Sequence, residues 1–261
     1  MDKYTHLQLR EVFHIEFLRW LGRKVKAERY SIKGGVNLRF FFKSFRYSED
    51  IDLDVRAVKV IELKEIVMKI LTAGTFQDNL KPFGIAKVVP PDTGNAKQTE
   101  TTQRFKIHLI SSSGEDLFTK VEFSRRGLTG KIVTGAIDDA ILRAYKLAPL
   151  LAPHYDTRSA IVQKIGALAD RSAVQARDIF DLYLLSSQYK AGAGEGKDDI
   201  KHSVLTKAYE RIFEVEFEQF RDTVVSYLSV EDQPVYDNPR AWEDVRLKVA
   251  NFIEEIRKSY A

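Results

Sequence analysis

Residues 30–55 read YSIKGGVNLRFFFKSFRYSEDIDLDV, and the reading of this stretch decides the fold. A short apolar run leads into the glycine pair Gly34-Gly35. An aromatic-rich segment follows over 36–45, in which Leu38, Phe41, Phe42 and Phe45 recur at helical spacing. Asp50, Asp52 and Asp54 then alternate with Ile51, Leu53 and Val55. A period of two places the three carboxylates on one face of a strand while the aliphatic side chains pack from the other. The expected order is strand, glycine turn, helix, acidic strand.

Like charges on one strand face repel, and in a partly desolvated cleft the penalty reaches several kcal/mol unless a cation compensates. Hard carboxylate oxygens suit Mg²⁺, which combines one or two carboxylates with waters and a substrate phosphate. A strand-to-helix turn without side chains lets phosphate oxygens approach backbone N–H groups at the positive end of a helix. Acidic strand ends also occur as solvated edges, and glycine pairs as plain turns. The order of the four pieces favours a site for a metal-bound nucleotide.

That order resembles the signature of the DNA polymerase beta-type nucleotidyltransferase superfamily, matched here by Ile32-Lys33-Gly34-Gly35 and Asp50-Ile51-Asp52-Leu53. The wording KGG-x-x-LR followed by RYSEDIDLD is similar, more narrowly, to the AbiEii nucleotidyltransferase toxins of bacterial type IV toxin-antitoxin systems. The gap of 14 residues between Gly35 and Asp50 is slightly longer than the superfamily usually allows, so the helix or its following loop is extended. The resemblance implies an α+β protein: a polymerase beta-like domain with a mixed sheet over 1–130, followed by an all-α lobe over 131–261. It also implies Lys33, Gly34, Gly35 and Ser48 as nucleotide-binding residues, and Asp50 and Asp52 as metal ligands.

Composition is compatible with that and narrows little further. The 261 residues are 44% hydrophobic and 11% aromatic, enough for a substantial core in one large or two modest domains. A formal charge of +4 permits nucleic acid without arguing for it. The chain has no cysteine, which excludes disulfides, thiolate metal sites and cysteine nucleophiles. MDKYTHLQLREVF contains no apolar signal region and no window approaches a membrane span, so no membrane partner and a cytoplasmic location are expected.

Along the chain, Thr5 is placed to cap a helix running to about Gly22, with Leu9, Val12, Phe13, Phe17 and Leu21 on one stripe. A second amphipathic helix is expected over 61–71, closed by Gly74, then a strand over 85–89 and a polar loop over 90–102. Strands over 104–110 and 117–124 flank Ser111-Ser112-Ser113-Gly114 as a hairpin. Beyond Gly130 the pattern predicts helices over 136–149, 158–170, 174–188, 200–228 with a break, and 239–259, with Ala191-Gly192-Ala193-Gly194-Glu195-Gly196 as a flexible loop. His6, His14, His108, His154 and His202 lack metal-ligand spacing, and Arg125, Arg126 and Lys131 could meet RNA phosphate or form a solvated basic edge.

Three further blocks extend the resemblance. Lys120-Val121-Glu122 with Arg125-Arg126 resembles the family's Lys-x-Asp block, which makes Glu122 the third carboxylate, a metal ligand with Glu in place of the usual Asp. Lys164-Ile165-Gly166-Ala167-Leu168 with Arg171, and Arg177-Asp178-Ile179-Phe180-Asp181-Leu182, resemble the Lys-x-x-Ala-Leu…Arg and Arg-Asp-x-x-Asp-Leu blocks. From spacing alone Asp178 and Asp181 share a helix face and could be first-turn acids favoured by the helix dipole. The resemblance makes Lys164 a solvent-facing contact to the triphosphate, on a helical half folded back over the acidic strand, with Asp178 or Asp181 orienting it.

The implied reaction transfers NMP from an NTP to an acceptor hydroxyl with Mg²⁺ as cofactor and Mn²⁺ as a substitute, using Asp50, Asp52, Glu122, Lys164, Asp178 and Asp181. The implied acceptor is the 3′ end of tRNA, the outcome is growth inhibition, and a cognate antitoxin need not contact the chain stably. A protein hydroxyl is the rival acceptor, and a non-catalytic RNA- or protein-binding module is the alternative of another class. Residues 183–261 carry no usable motif.

Overall fold

Thr5 accepts from the amide of Gln8, and the Gln8 side chain accepts in return from the amide of Thr5, which starts helix α1 (His6–Leu21) on a reciprocal cap. The computed structural model describes residues 4–92, 98–189 and 200–259, so part of the polar loop after Val89 and the glycine-rich 191–196 segment lie outside the described residues. The chain divides into two compact units, Met1–Lys43 with Tyr47–Tyr155, and Ser44–Arg46 with Asp156–Ala261.

The first unit is organised on a seven-stranded sheet of order β3-β4-β5-β2-β1-β7-β6. Its elements follow as β1 (Tyr30–Lys33), α2 (Gly34–Phe41), β2 (Ile51–Val55), α3 (Val60–Thr72), α4 (Gly74–Leu80), β3 (Ile85–Val89), β4 (Thr102–Ser111), β5 (Asp116–Ser124), β6 (Ile132–Ala136), α5 (Asp139–Ala144) and β7 (Leu151–Tyr155). The sheet is mixed: β2 runs parallel to β5 and β1 parallel to β7, while the β1–β2, β3–β4, β4–β5 and β6–β7 pairs are antiparallel. One face is apolar, with Ile51, Leu53, Phe105, Ile107, Val121 and Phe123 buried in one cluster with Leu9, Val12, Phe13 and Phe17 of α1 and Leu63, Val67 and Ile70 of α3. Burying that face fixes the register, because a one-residue slip would turn the aliphatic set outward and the acids inward.

Four expectations need correction. The helix after the glycine pair is shorter than the 36–45 pattern suggests: α2 ends at Phe41, and Lys43 at φ 55° lies in the left-handed region, which a helix cannot continue through. Residues 136–149 form no single helix but the end of β6, the short α5 and the approach to β7. Because β6 and β7 belong to the sheet, the first unit extends to Tyr155 rather than to residue 130. Gly74 begins α4 rather than closing α3, whose C-cap is Ala73.

Among its described residues the regular elements of the second unit are helices, with no strand: α6 (Thr157–Asp170), α7 (Ala176–Ser186), α8 (His202–Arg211), α9 (Phe217–Thr223), α10 (Gln233–Tyr236) and α11 (Pro239–Ser259). Its core contains Ile165, Phe180, Leu205 and Phe220, with Trp242 stacked on Phe220 at 4.4 Å. The Trp242 indole satisfies its one donor on the Val215 carbonyl at 2.9 Å. No helix of the described residues is long and apolar enough to cross a membrane.

Candidate active site

The site in the first unit is one row across four strands. Register pairs Lys33 with Asp52, Asp52 with Glu122, and Glu122 with Arg104. Residues directly opposite one another present their side chains to the same face, so cation, carboxylate, carboxylate and cation lie side by side. Arg104 Nε donates to Glu122 Oε2 at 2.6 Å, and Lys120 Nζ stands 2.7 Å from Asp50 Oδ2. Lys33 Nζ donates to Asp54 Oδ1 at 2.5 Å, and the Tyr155 hydroxyl donates to Asp54 Oδ2 at 2.7 Å. Asp54 is therefore a buried carboxylate tied down by two partners, although sequence groups it with Asp50 and Asp52. Burial first, and then the bond to Asp54, pushes the Tyr155 hydroxyl above the ordinary phenol range.

Asp52 has the least compensated charge in the row. Its carboxyl is held above the usual carboxylate range chiefly because it lies deep among neighbouring atoms; Lys120 and Lys33 oppose that rise, while Glu122 and Asp50 add to it. Gly34 shows how tightly this carboxylate is approached. Its φ is 66°, and a Cβ there would lie 3.0 Å from Asp52 Oδ2. Glycine is required both by the left-handed backbone and by the proximity of the acid. Helix α2 starts at Gly34, followed by Gly35, and its N-cap Lys33 makes no side-chain cap bond. The positive helix end thus stands beside Asp52 with no side-chain acceptor claiming its first-turn amides.

The loop leading into β2 is fixed by short-range bonds. Ser48 Oγ donates to the Asp50 carbonyl at 2.8 Å, so its hydroxyl serves the loop itself. Thr119 Oγ1 donates to the Glu49 carbonyl at 2.7 Å and lies 2.8 Å from His14 Nε2. Since the one hydroxyl proton of Thr119 goes to Glu49, His14 Nε2 is the donor in that pair. Burial, with a smaller push from Arg10, brings the His14 imidazole down to about 3, so it stays neutral.

Asp52 lies against a glycine that a Cβ would crowd, with Glu122 beside it in register and Asp50 near enough to act on its charge, and hard oxygens of this kind suit a divalent cation carrying phosphate. Among the described residues no three His, Asp or Glu side chains converge as a metal nest. Asp50 faces Lys120 and Glu122 faces Arg104, two ammonium and guanidinium partners with which a metal would compete for the same oxygens.

In the second unit Lys164, Asp178 and Asp181 come together as sequence predicts, but inside rather than at the surface. Lys164 is 9% exposed, with Nζ 2.8 Å from Asp178 Oδ1 and 2.6 Å from Asp181 Oδ2. The expected solvent-facing lysine is thus a buried one, because two carboxylates repay the desolvation of its ammonium. Arg46 grips Asp181 with its Nη2 at 2.9 and 3.1 Å, and Arg171 Nε stands 2.9 Å from Asp178 Oδ2. Burial favours a neutral Asp181, yet Arg46 and Lys164 together hold its carboxyl below the usual range. Burial likewise opposes the charge on Lys164, and Asp178 and Asp181 overcome it, so the ammonium stays charged above the ordinary lysine range. Arg46 opens the RYSEDIDLD block, but it lies in a loop with no periodicity, so its pairing with Asp181, 135 positions away, left no local pattern to read.

The family model described as nucleotidyl transferase AbiEii toxin, type IV TA system, matches residues 16–257. The chain belongs to the AbiEii family. It is therefore a nucleotidyltransferase of a toxin family, for which an NTP substrate and an antitoxin partner are implied. Solved structures with the same fold include the MenT4 nucleotidyltransferase toxin of Mycobacterium tuberculosis, at 18% identity and a TM-score of 0.63 over 98% of this chain and 87% of that one. JHP933 from Helicobacter pylori is similar at 17% identity and a TM-score of 0.57, over 98% and 94% of the two chains. No curated protein matches. The AbiEii assignment covers both units, the carboxylate row and the buried Lys164 cluster alike.

Proposed function

We propose that this AbiEii protein transfers NMP from an NTP to the 3′-terminal hydroxyl of tRNA, with growth inhibition as the result. The observation that carries the reading is the row in which Asp52 and Glu122 lie side by side on parallel strands, with Gly34 against Asp52. Asp50 and Asp52, with Glu122, would hold a divalent cation, Mg²⁺ or Mn²⁺, which supplies positive charge to the triphosphate oxygens. The start of α2 at Gly34 and Gly35 offers backbone donors to the phosphates. The acceptor oxygen bonds to the α-phosphorus, the bridging P–O bond to the β-phosphate breaks, pyrophosphate leaves, and Glu122 takes the hydroxyl proton. Lys33 and Ser48 are assigned to keeping the nucleotide end of the row in shape through Asp54 and the Asp50 carbonyl. Lys164, paired with Asp178 and Asp181 inside the second unit, is assigned to holding that buried cluster together.

The test is incubation with each of the four labelled NTPs, Mg²⁺, and either bulk tRNA or a protein lysate. Label is expected in tRNA, and Asp52→Asn should lower transfer on the order of a thousandfold or more. Label appearing in protein alone, or undiminished transfer by Asp52→Asn, would overturn the reading.

A further inference from the structure

Outward from the carboxylates, the open face of the β4–β5 hairpin continues as a ladder of paired residues. Arg104 lies opposite Glu122, Lys106 opposite Lys120, and His108 opposite Phe118. These are alternate residues on each strand, so all six share the face of Asp52 and Glu122, while Phe105, Ile107, Thr119 and Val121 are buried on the other. Phe118 is 60% exposed, an aromatic ring that the fold leaves in water. It is nevertheless held in place: its ring stacks on the His108 imidazole, with centroids 4.9 Å apart and planes 20° apart. Asp116 Oδ1 fixes that imidazole at 2.6 Å from Nε2, and Arg10 Nε donates to the Phe118 carbonyl at 2.8 Å. Lys106 is exposed on the rung between this ring pair and the Arg104–Glu122 rung, and has no ion-pair partner among the described residues.

We propose that this face is the acceptor-strand subsite, where an unpaired base near the 3′ end of the RNA stacks on Phe118 and the intervening phosphates meet Lys106. The inference rests on the transfer reading above and names the part of the acceptor that is recognised. An exposed ring braced by a second ring, with a lone cation beside it, is what a single strand requires: a π-face for the base and positive charge for the backbone. Phe118 and Glu122 are four positions apart along β5, about 13 Å of strand. A strand laid along β5 would therefore bring its terminal hydroxyl to the carboxylates while an upstream base rests on the ring. A protein acceptor would have little use for a free aromatic face coupled to bare positive charge on this strip.

Phe118→Ala, Phe118→Trp and Lys106→Ala are compared with wild type in two assays: transfer of labelled nucleotide to tRNA, and fluorescence anisotropy with a dye-labelled single-stranded RNA oligonucleotide. Phe118→Ala should raise the apparent KM for tRNA roughly tenfold, the size of one lost base stack, with the KM for NTP unchanged, and Phe118→Trp should recover it. Lys106→Ala should weaken oligonucleotide binding and reduce its salt dependence. Because the Phe118 ring lies outside the core, thermal melts of all three should match wild type. Wild-type transfer to tRNA with no effect of Phe118→Ala overturns the subsite alone. A shift in the KM for NTP instead assigns the ring to the incoming nucleotide and overturns it too. Oligonucleotide binding that depends on Phe118, without any transfer to RNA, supports the subsite while the tRNA-transfer reading fails. Label in protein that depends on Phe118 overturns both.

Discussion

Gly34 sits at φ 66°, and a Cβ there would lie 3.0 Å from Asp52 Oδ2, which makes a single methyl group informative. Gly34→Ala meets a backbone penalty of about 1–2 kcal/mol and pushes the carboxylate or the helix start out of place. A lowered melting temperature together with loss of transfer is expected, whereas Gly35→Ala, at a helix position without positive φ, should cost stability far less. Asp52→Asn should act in the opposite sense on stability. Its charge is disfavoured by burial and by Glu122 and Asp50, so the amide should melt no lower than wild type in metal-free buffer while transfer is abolished. Calorimetry and a labelled-NTP assay on the same preparations check both, and an Asp52→Asn protein that is clearly less stable would assign Asp52 a structural role like that of Asp54.

At the scale of elements, the packing of α6 against α7 encloses Lys164 between Asp178 and Asp181, and this changes what its removal should do. Lys164→Ala leaves two buried carboxylates short of a partner and should destabilise by about 3–5 kcal/mol. A neutral melt would show the ammonium to be dispensable for the fold. The pH dependence has a definite sign. Asp181 is held below the usual range, so its contribution is complete above the unfolded value of about 3.9 and is lost as pH falls through the lower folded value. Lys164, held high, keeps its contribution until pH rises through the lysine range and beyond. The melting deficit of Asp181→Asn should accordingly be full at neutral pH and narrow below about pH 4. Much of this element structure was legible beforehand. The strand, glycine, helix and acidic strand follow from periodicity and φ requirements, and the β4–β5 hairpin from alternation around Ser111–Gly114. Strand β7 was not legible, because Ala152, Pro153, His154 and Tyr155 are all buried and show no alternation, and a proline argues against a strand. Nor was the pairing of Asp50 with Lys120 and of Glu122 with Arg104, since register across strands distant in sequence leaves no local pattern.

For the whole molecule, a net charge of only +4 makes the distribution of cations matter more than their number. If tRNA is the acceptor, binding should weaken steeply between low and physiological salt, and a flat response would favour a protein or small-molecule acceptor. The membership of Ser44–Arg46 in the helical unit reaches further than local packing. Phe45 lies with its ring 5.7 Å from Phe180 and 5.5 Å from Tyr236, and Arg46 bonds Asp181 across 135 positions of sequence. A gene cut at the codon for Asp156 therefore does not yield two autonomous modules: the downstream product lacks the guanidinium that neutralises its own buried acid. Expressed alone, the fragment 156–261 should be protease-sensitive and lack a cooperative melt, and a synthetic peptide spanning 42–48 should protect it. On the ribosome the same geometry imposes an order of events, since three residues emerging early must be kept available until the second half of the chain has been made.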